Sequence, residues 1–194
     1  MPQLSSSARP AVKKSKGLQR IITPEEVLRL MPDGLRYLFL DEIVEVDESH
    51  IVARYRFRED EFFYQGHFPD RAVTPGTVLL EAMCQCGVTA HSYFFLASEL
   101  GMEAAKRYRV LFTSSQAEFF TLIGPGTVIN MHSELLAWRA RRIHARVKLF
   151  CDENTLVAES VLAGMSVSWH AQDAAKNSFS GASVSAALEK DVQL

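Results

Sequence analysis

The stretch TPGTVLLEAMCQCGVTAHSYFFLASEL, residues 74–100, decides the fold. Pro75 and Gly76 open a segment that holds no further proline, and Gly101 follows its last residue as a stop signal. Apolar residues occur on nearly every face of a helix drawn through this segment, so such a helix must be enclosed on most sides. The pattern predicts a core helix of about 25 residues, with Thr74 as its N-cap, in the middle of a domain.

Strand-like runs rich in aromatic and β-branched residues lie on both sides of this helix. Two precede it, at residues 36–46 and 50–58, and four follow it, at residues 108–119, 127–138, 142–151 and 155–169. The run at 142–151 alternates between apolar and charged residues, which is typical of an antiparallel sheet with one buried and one solvent-exposed face. Short turn signals between the last four runs predict a meander. We therefore predict an α+β fold in which a curved antiparallel sheet wraps around one long central helix.

Three segments divide the chain of 194 residues. Residues 1–20 are basic and contain no acid, so we expect a flexible N-terminal tail, with an organellar transit peptide as the alternative. TPEEVLRLMP at residues 23–32 predicts a short helix capped by Thr23 at the start of a single domain spanning residues 21–170. Residues 171–194 form a C-terminal tail that can hold a short helix.

Composition excludes several functional classes. A net charge of −2 without a basic patch on the predicted strands argues against nucleic-acid binding. Three cysteines are too few for a disulfide framework and favour a reducing, cytoplasmic setting, and the six histidines lack metal-site spacing, so we expect no metal. Residues 78–97 are long enough to span a bilayer, but Glu81, Gln85 and His91 make that costly, so no membrane span is expected.

One face of the predicted core helix carries a polar stripe. Glu81, Gln85 and Ser92 are spaced to share one face, and a buried carboxylate is costly unless it is paired, protonated or used in chemistry. Glu81 can instead be an acid that the positive end of the helix dipole favours, and His67 can be an ordinary turn histidine. Gly76 adds an unpaired N–H at the start of the helix, so a base, an acid and an oxyanion donor fall within one short stretch.

The spacing of these residues resembles a known family. GHFP at residues 66–69, PG at 75–76 and EAMCQ at 81–85 are similar to the motif of FabZ-type 3-hydroxyacyl-acyl-carrier-protein dehydratases, which have the hot-dog fold. The FabA type is a more distant match because it has Asp in place of Glu81. In weaker form the resemblance extends over residues 35–169.

The resemblance implies a role for each residue. His67 would remove the α-proton of a 3-hydroxyacyl thioester, and Glu81 would protonate the departing β-hydroxyl to give a trans-2-enoyl thioester and water. The Gly76 N–H would bind the thioester carbonyl, and Gln85 would orient Glu81. No cofactor is implied. The substrate would be borne by an acyl-carrier protein or a coenzyme A analogue. His67 and Glu81 of one site would come from different protomers of a dimer or larger homo-oligomer.

Departures from the family pattern leave the substrate open. Asp70, Ala72, Cys84 and Cys86 replace residues that are common in the family, which suggests a specialised relative in fatty-acid, polyketide, polyene or modified-lipid synthesis. Aromatic and methionine side chains near the motif are candidates for an acyl tunnel or for plain core, namely Phe62, Phe63, Tyr64, Phe68, Met83, Phe94 and Phe95. The alternative functions are a hot-dog thioesterase, an isomerase, and an idle partner subunit that only binds a carrier protein. The basic tail is a candidate dock for an acidic carrier protein.

Overall fold

The computed structural model describes residues 21–169 except Asp33, Leu35 and Pro69. Its first element is helix α1, Pro24–Leu28, which begins as the sequence predicts. The Thr23 hydroxyl accepts a hydrogen bond from the Glu26 N–H at 3.3 Å, and the Glu26 carboxylate accepts one from the Thr23 N–H at 3.1 Å. This reciprocal capping box satisfies two backbone donors at the helix start. The predictions made for both tails lie outside the described residues.

The core helix, residues 76–100, consists of helix α2 (Gly76–Cys84), a π-helical segment (Gln85–Ala90) and helix α3 (His91–Leu100). Every residue from position 82 to 98 is buried, so the predicted enclosed helix is confirmed. Its predicted cap is wrong: the N-cap residue is Pro75, and the Thr74 hydroxyl instead lies 2.6 Å from the Tyr64 hydroxyl. A short helix α4, Met102–Ala105, follows.

Six antiparallel strands form one sheet in the order β1-β2-β4-β5-β6-β3. The bounds are Glu42–Val46 for β1, His50–Arg56 for β2, Tyr108–Phe119 for β3, Val128–Arg139 for β4, Arg142–Phe150 for β5 and Leu156–Ser168 for β6. Strand β5 alternates between buried and exposed residues as predicted. The predicted α+β arrangement of one sheet around one helix is confirmed.

Two details of the predicted sheet are wrong. Strand β3 is not the neighbour of β4 in a four-stranded meander; it pairs with β6 at the far edge, and only β4, β5 and β6 form a meander. Residues 120–127 cross from that edge to the other side of the sheet, where the Phe57 N–H donates to the Thr127 carbonyl at 2.9 Å. Strand β1 begins at Glu42 and not at residue 36, because the backbone at Tyr37 and Phe39 bonds to the Gln85 side chain instead of to a strand.

The core helix approaches the sheet closely where glycine replaces a side chain. A β-carbon on Gly87 would lie 2.5 Å from Val147 Cγ2, and one on Gly164 in β6 would collide with the Val88 side chain. Both glycines are therefore required by packing. Within the described part of the chain, no helix combines the length and the apolar character that crossing a bilayer needs.

Candidate active site

His67 follows a short 3₁₀ helix, Phe62–Gln65, which aims the chain into a turn. The His67 backbone N–H donates to the Phe63 carbonyl at 2.9 Å, and its ring Nδ1 lies 2.8 Å from the Val73 carbonyl oxygen. Because a carbonyl oxygen can only accept, Nδ1 carries the hydrogen in this bond. In the neutral ring Nε2 is therefore unprotonated and able to take a proton.

Phe68, directly after His67, has a left-handed backbone with φ of 47°. This region is unfavourable for a bulky side chain and is held only where the surroundings enforce it. The Phe68 ring is 56% exposed, and its centroid lies 4.3 Å from that of the His67 imidazole. The strained residue thus turns the chain beside the histidine while its ring covers part of the imidazole.

The N-terminus of the core helix is open at Gly76. The N–H groups of Val78 and Leu79 donate to the Pro75 carbonyl, whereas no described residue accepts a hydrogen bond from the Gly76 N–H. Such a donor at the positive end of a helix is suited to an oxygen that gains negative charge. The Phe119 ring borders this spot, since a β-carbon on Gly76 would lie 3.4 Å from it.

Gln85 connects Glu81 to the segment before β1. Its side-chain NH₂ donates to the Glu81 carboxylate oxygen Oε1 at 2.9 Å and to the Tyr37 carbonyl at 2.7 Å. Its carbonyl oxygen accepts from the Phe39 N–H at 2.7 Å. These three bonds fix the orientation of the amide. Since Glu81 Oε1 accepts a hydrogen bond, the proton of an uncharged Glu81 belongs on the other oxygen, Oε2.

The predicted site residues divide into accessible and buried sets. His67, Gly76 and Glu81 are all half-buried, so solvent reaches part of each, while Gln85 is buried. Among the tunnel candidates, Tyr64, Met83, Phe94 and Phe95 are buried, Phe63 is half-buried, and Phe62 and Phe68 are exposed. Burial raises the pKa of the Tyr64 phenol, so its hydroxyl stays protonated beside the Thr74 hydroxyl.

Several contacts of the site could not be predicted from the sequence pattern. The acceptors and donors at Tyr37, Phe39 and Val73 are main-chain groups, which any residue type supplies. The proximity of Phe119 to Gly76 depends on where β3 lies in the sheet. The strand-like run at residues 108–119 predicted a strand, but it did not indicate which edge of the sheet that strand would join.

A groove of about 680 Å³ lies beside the 3₁₀ helix that precedes His67. It has a mixed lining of apolar and charged side chains, among them Leu38, Tyr55, Arg58, Glu61 and Phe62, and His67, Gly76 and Glu81 are not part of it. Within the described ranges, no group of three or more histidine, cysteine or carboxylate side chains is arranged to hold a metal ion.

Sequence comparison identifies relatives over most of this domain. The family model described as the FabA-like domain matches residues 31–160. A protein named 3-hydroxyacyl-[acyl-carrier-protein] dehydratase FabZ from Nitratiruptor sp. is 32% identical over 144 residues, which cover 73% of this chain and 95% of the relative. A FabZ from Pediococcus pentosaceus is 32% identical over 117 residues, 60% of this chain and 74% of that protein.

Solved structures share the fold at low sequence identity. The dehydratase heterocomplex ApeI:P from Xenorhabdus doucetiae matches with a TM-score of 0.60 and 14% identity, covering 81% of this chain and 97% of that chain. A thioesterase from Haemophilus influenzae matches with a TM-score of 0.56 and 17% identity, covering 78% and 94%. These neighbours confirm the predicted hot-dog fold. Together with the family match and the FabZ relatives, they confirm the resemblance carried by GHFP, PG and EAMCQ: the chain belongs to the FabA-like family.

Proposed function

We propose that this protein is a 3-hydroxyacyl-acyl-carrier-protein dehydratase. Its membership in the FabA-like family and its FabZ relatives support a hydro-lyase with the hot-dog fold. The observation that carries the proposal is the hydrogen bond from His67 Nδ1 to the Val73 carbonyl, because it leaves Nε2 as a base in the neutral ring. A hot-dog protein that only binds thioesters has no need of such a base.

The proposed reaction begins with proton removal from the α-carbon. His67 Nε2 takes the α-proton, and the electron pair of the C–H bond moves towards the thioester carbonyl. The oxygen gains negative charge and is bound by the Gly76 N–H, helped by the positive end of the helix dipole. The thioester itself acidifies the α-carbon, so the step proceeds without a cofactor.

Loss of the β-hydroxyl completes the elimination. The electron pair returns to form the double bond between the α- and β-carbons while the C–O bond at the β-carbon breaks. Glu81 supplies the proton that turns the leaving hydroxide into water, and Gln85 holds the carboxyl group so that this proton is on Oε2. The products are a trans-2-enoyl thioester and water, and solvent proton exchange returns His67 and Glu81 to their starting states.

A dimer through β3 would complete the site. Strand β3 is 12 residues long, pairs with β6 on one side, and lies at the end of the sheet order. An open edge of this length is a template for another strand, and exposed Leu111, Phe112 and Phe119 add apolar surface. Antiparallel pairing of two β3 strands would place the Phe119 end, which borders Gly76, beside the partner. His67 of one protomer and Glu81 of the other would then share one site, as the family resemblance implies.

The acyl chain of the substrate would contact side chains near the motif. Phe63, Tyr64, Phe68 and Met83 stay candidates for contacting the acyl chain. The departures from the family pattern at Asp70 and its neighbours suggest a specialised relative, whose substrate belongs to fatty-acid, polyketide, polyene or modified-lipid synthesis. The carrier protein or coenzyme A would present this acyl group at the open helix end.

Mass spectrometry of a carrier-bound acyl group tests the function. Purified protein is incubated with a short 3-hydroxyacyl-acyl-carrier protein, and we expect a carrier lighter by one water. Glu81→Gln preserves shape and should reduce the rate about a thousandfold because the amide cannot donate an acidic proton. Release of free carrier thiol and acid would instead identify a thioesterase. An unchanged substrate across several acyl lengths would identify an idle partner subunit.

A further inference from the structure

A polar cluster formed by Asp41, Tyr55, Arg58 and Glu61 precedes the turn that carries His67. Glu61 is its last member, and the 3₁₀ helix Phe62–Gln65 begins at the next residue. The proposed reaction uses none of these four side chains. Their contacts nevertheless lead through the backbone to the imidazole.

Glu61 is held from two directions. Its carboxylate oxygen Oε1 accepts a short hydrogen bond from the Tyr55 hydroxyl and a second one from the Arg58 backbone N–H at 3.2 Å. Its backbone carbonyl accepts from the Tyr64 N–H at 3.1 Å. The side chain thus anchors Glu61 to the end of strand β2, and the main chain anchors it to the 3₁₀ helix.

Arg58 and Asp41 hold Tyr55 in place. The Arg58 guanidinium lies over the Tyr55 ring at 4.7 Å from the centroid and donates to the Asp41 carboxylate at 2.5 Å. Asp41 also accepts from the Arg56 N–H at 2.8 Å, which ties it to the same strand. Tyr55 is only 4% exposed, and burial, reinforced by the neighbouring Glu61, raises the pKa of its phenol. The phenol therefore remains a hydrogen-bond donor throughout the physiological range.

A continuous series of hydrogen bonds runs from this cluster to His67. The Tyr64 N–H donates to the Glu61 carbonyl, and the His67 N–H donates at 2.9 Å to the Phe63 carbonyl, which belongs to the same peptide group as the Tyr64 N–H. The last bond of the series is from His67 Nδ1 to Val73. A shift of the 3₁₀ helix would move the histidine backbone and stretch this last bond, which fixes the tautomer.

We propose that Tyr55 and Glu61 are positioning residues for His67, acting through the 3₁₀ helix to keep the imidazole bonded to Val73. The inference rests on the proposed function only in treating His67 as the base. The hydrogen-bond geometry itself is independent of which reaction the site performs. Displacements of about 1 Å at a reacting group can reduce a rate about a hundredfold, so an anchor of this kind matters for turnover.

Nuclear magnetic resonance of ¹⁵N-histidine-labelled protein tests the anchor without any substrate. The His67 ring signals are assigned by their loss in His67→Gln. We expect a single Nδ1–H tautomer in the wild type, and mixed tautomers in Tyr55→Phe and Glu61→Ala. Glu61→Gln should retain the single tautomer, because its amide oxygen can accept both hydrogen bonds. The matched control is Tyr93→Phe, which removes a buried hydroxyl that donates to the Tyr108 carbonyl at 3.0 Å.

Steady-state kinetics give the second readout. We expect kcat to fall about tenfold in Tyr55→Phe and about thirtyfold in Glu61→Ala, with KM within about twofold, and smaller changes in Glu61→Gln and Tyr93→Phe. An unchanged His67 tautomer in both Tyr55→Phe and Glu61→Ala would overturn the proposal. Mixed tautomers in a protein that does not dehydrate 3-hydroxyacyl thioesters would support the anchor and reject the proposed function.

Discussion

Two histidines of this chain make the same kind of hydrogen bond in opposite surroundings. His67 Nδ1 donates to the Val73 carbonyl on a half-buried turn, and His91 Nε2 donates to the Asp47 carbonyl at 2.9 Å in the core. The second ring nitrogen of His91, Nδ1, is buried without a partner among the described residues, and its ring stacks on Phe95. A backbone carbonyl therefore fixes the tautomer in both rings, and access to the remaining nitrogen separates a candidate base from a packing residue.

The same substitution in both histidines tests this distinction most strongly. His67→Gln should reduce kcat about a thousandfold, since glutamine cannot take up the α-proton. His91→Gln keeps a donor that can reach the Asp47 carbonyl, so kcat should stay within about threefold of the wild type. Turnover of a 3-hydroxyacyl-acyl-carrier protein is measured by enoyl product formation, with thermal unfolding to verify that both variants fold. Equal losses in the two variants would remove the basis for distinguishing the histidines.

The helix N-terminus offers a test that deletes the Gly76 N–H by substitution with proline. Gly76 is the first helical residue, a position that tolerates proline, and Pro75 has φ of −59° and ψ of 137°, which suits a residue before proline. Gly76→Pro should lower kcat/KM about a hundredfold by deleting the proposed oxyanion donor. Gly76→Ala is the matched control, because its β-carbon would meet the Phe119 ring at an ordinary 3.4 Å.

Comparison of the two Gly76 variants decides whether the N–H or the empty space matters. Alanine keeps the N–H, so we expect its kcat/KM within about fivefold of the wild type. If alanine were as damaging as proline, the loss would reflect crowding at Phe119 and the oxyanion role would be rejected. Initial rates at several substrate concentrations separate an effect on kcat from one on KM.

Local signals in the sequence predicted most of this fold because they act within single elements. The capping box at Thr23, the enclosed helix ending at Gly101 and the alternation in β5 depend on neighbours a few residues away. The motif residues His67 and Glu81 were found through their spacing and through the family resemblance, and their catalytic roles stay predictions.

Long-range geometry could not be predicted in the same way. The pairing of β3 with β6 depends on where residues 120–127 cross, and no residue type marks that choice. The π-helical segment Gln85–Ala90 and the close packing of Gly87 on the sheet within it appear only in three dimensions. The Thr74 prediction failed because a tertiary partner, Tyr64, competes with the helix N–H groups for its hydroxyl.

The buried histidine should also reveal itself in the acid stability of the fold. Burial, aided by nearby His50 and opposed by the bond to Asp47, lowers the pKa of His91 from 6.5 to about 4. Between these values the unfolded chain binds a proton that the folded chain excludes, so the free energy of unfolding must fall as the pH falls. From pH 6.5 to pH 5 this single group should cost about 1.5 kcal/mol.

Urea unfolding of wild type and His91→Gln across pH 7.5 to 5 measures this contribution. Both proteins are compared at one fixed concentration, because association would also shift the midpoint. Other titrating groups are common to both, so the difference between the two curves isolates His91. We expect the wild type to lose stability relative to the variant as the pH falls. Parallel curves would mean that His91 can be protonated in the folded protein, and the conclusion that burial keeps its ring neutral would then be wrong.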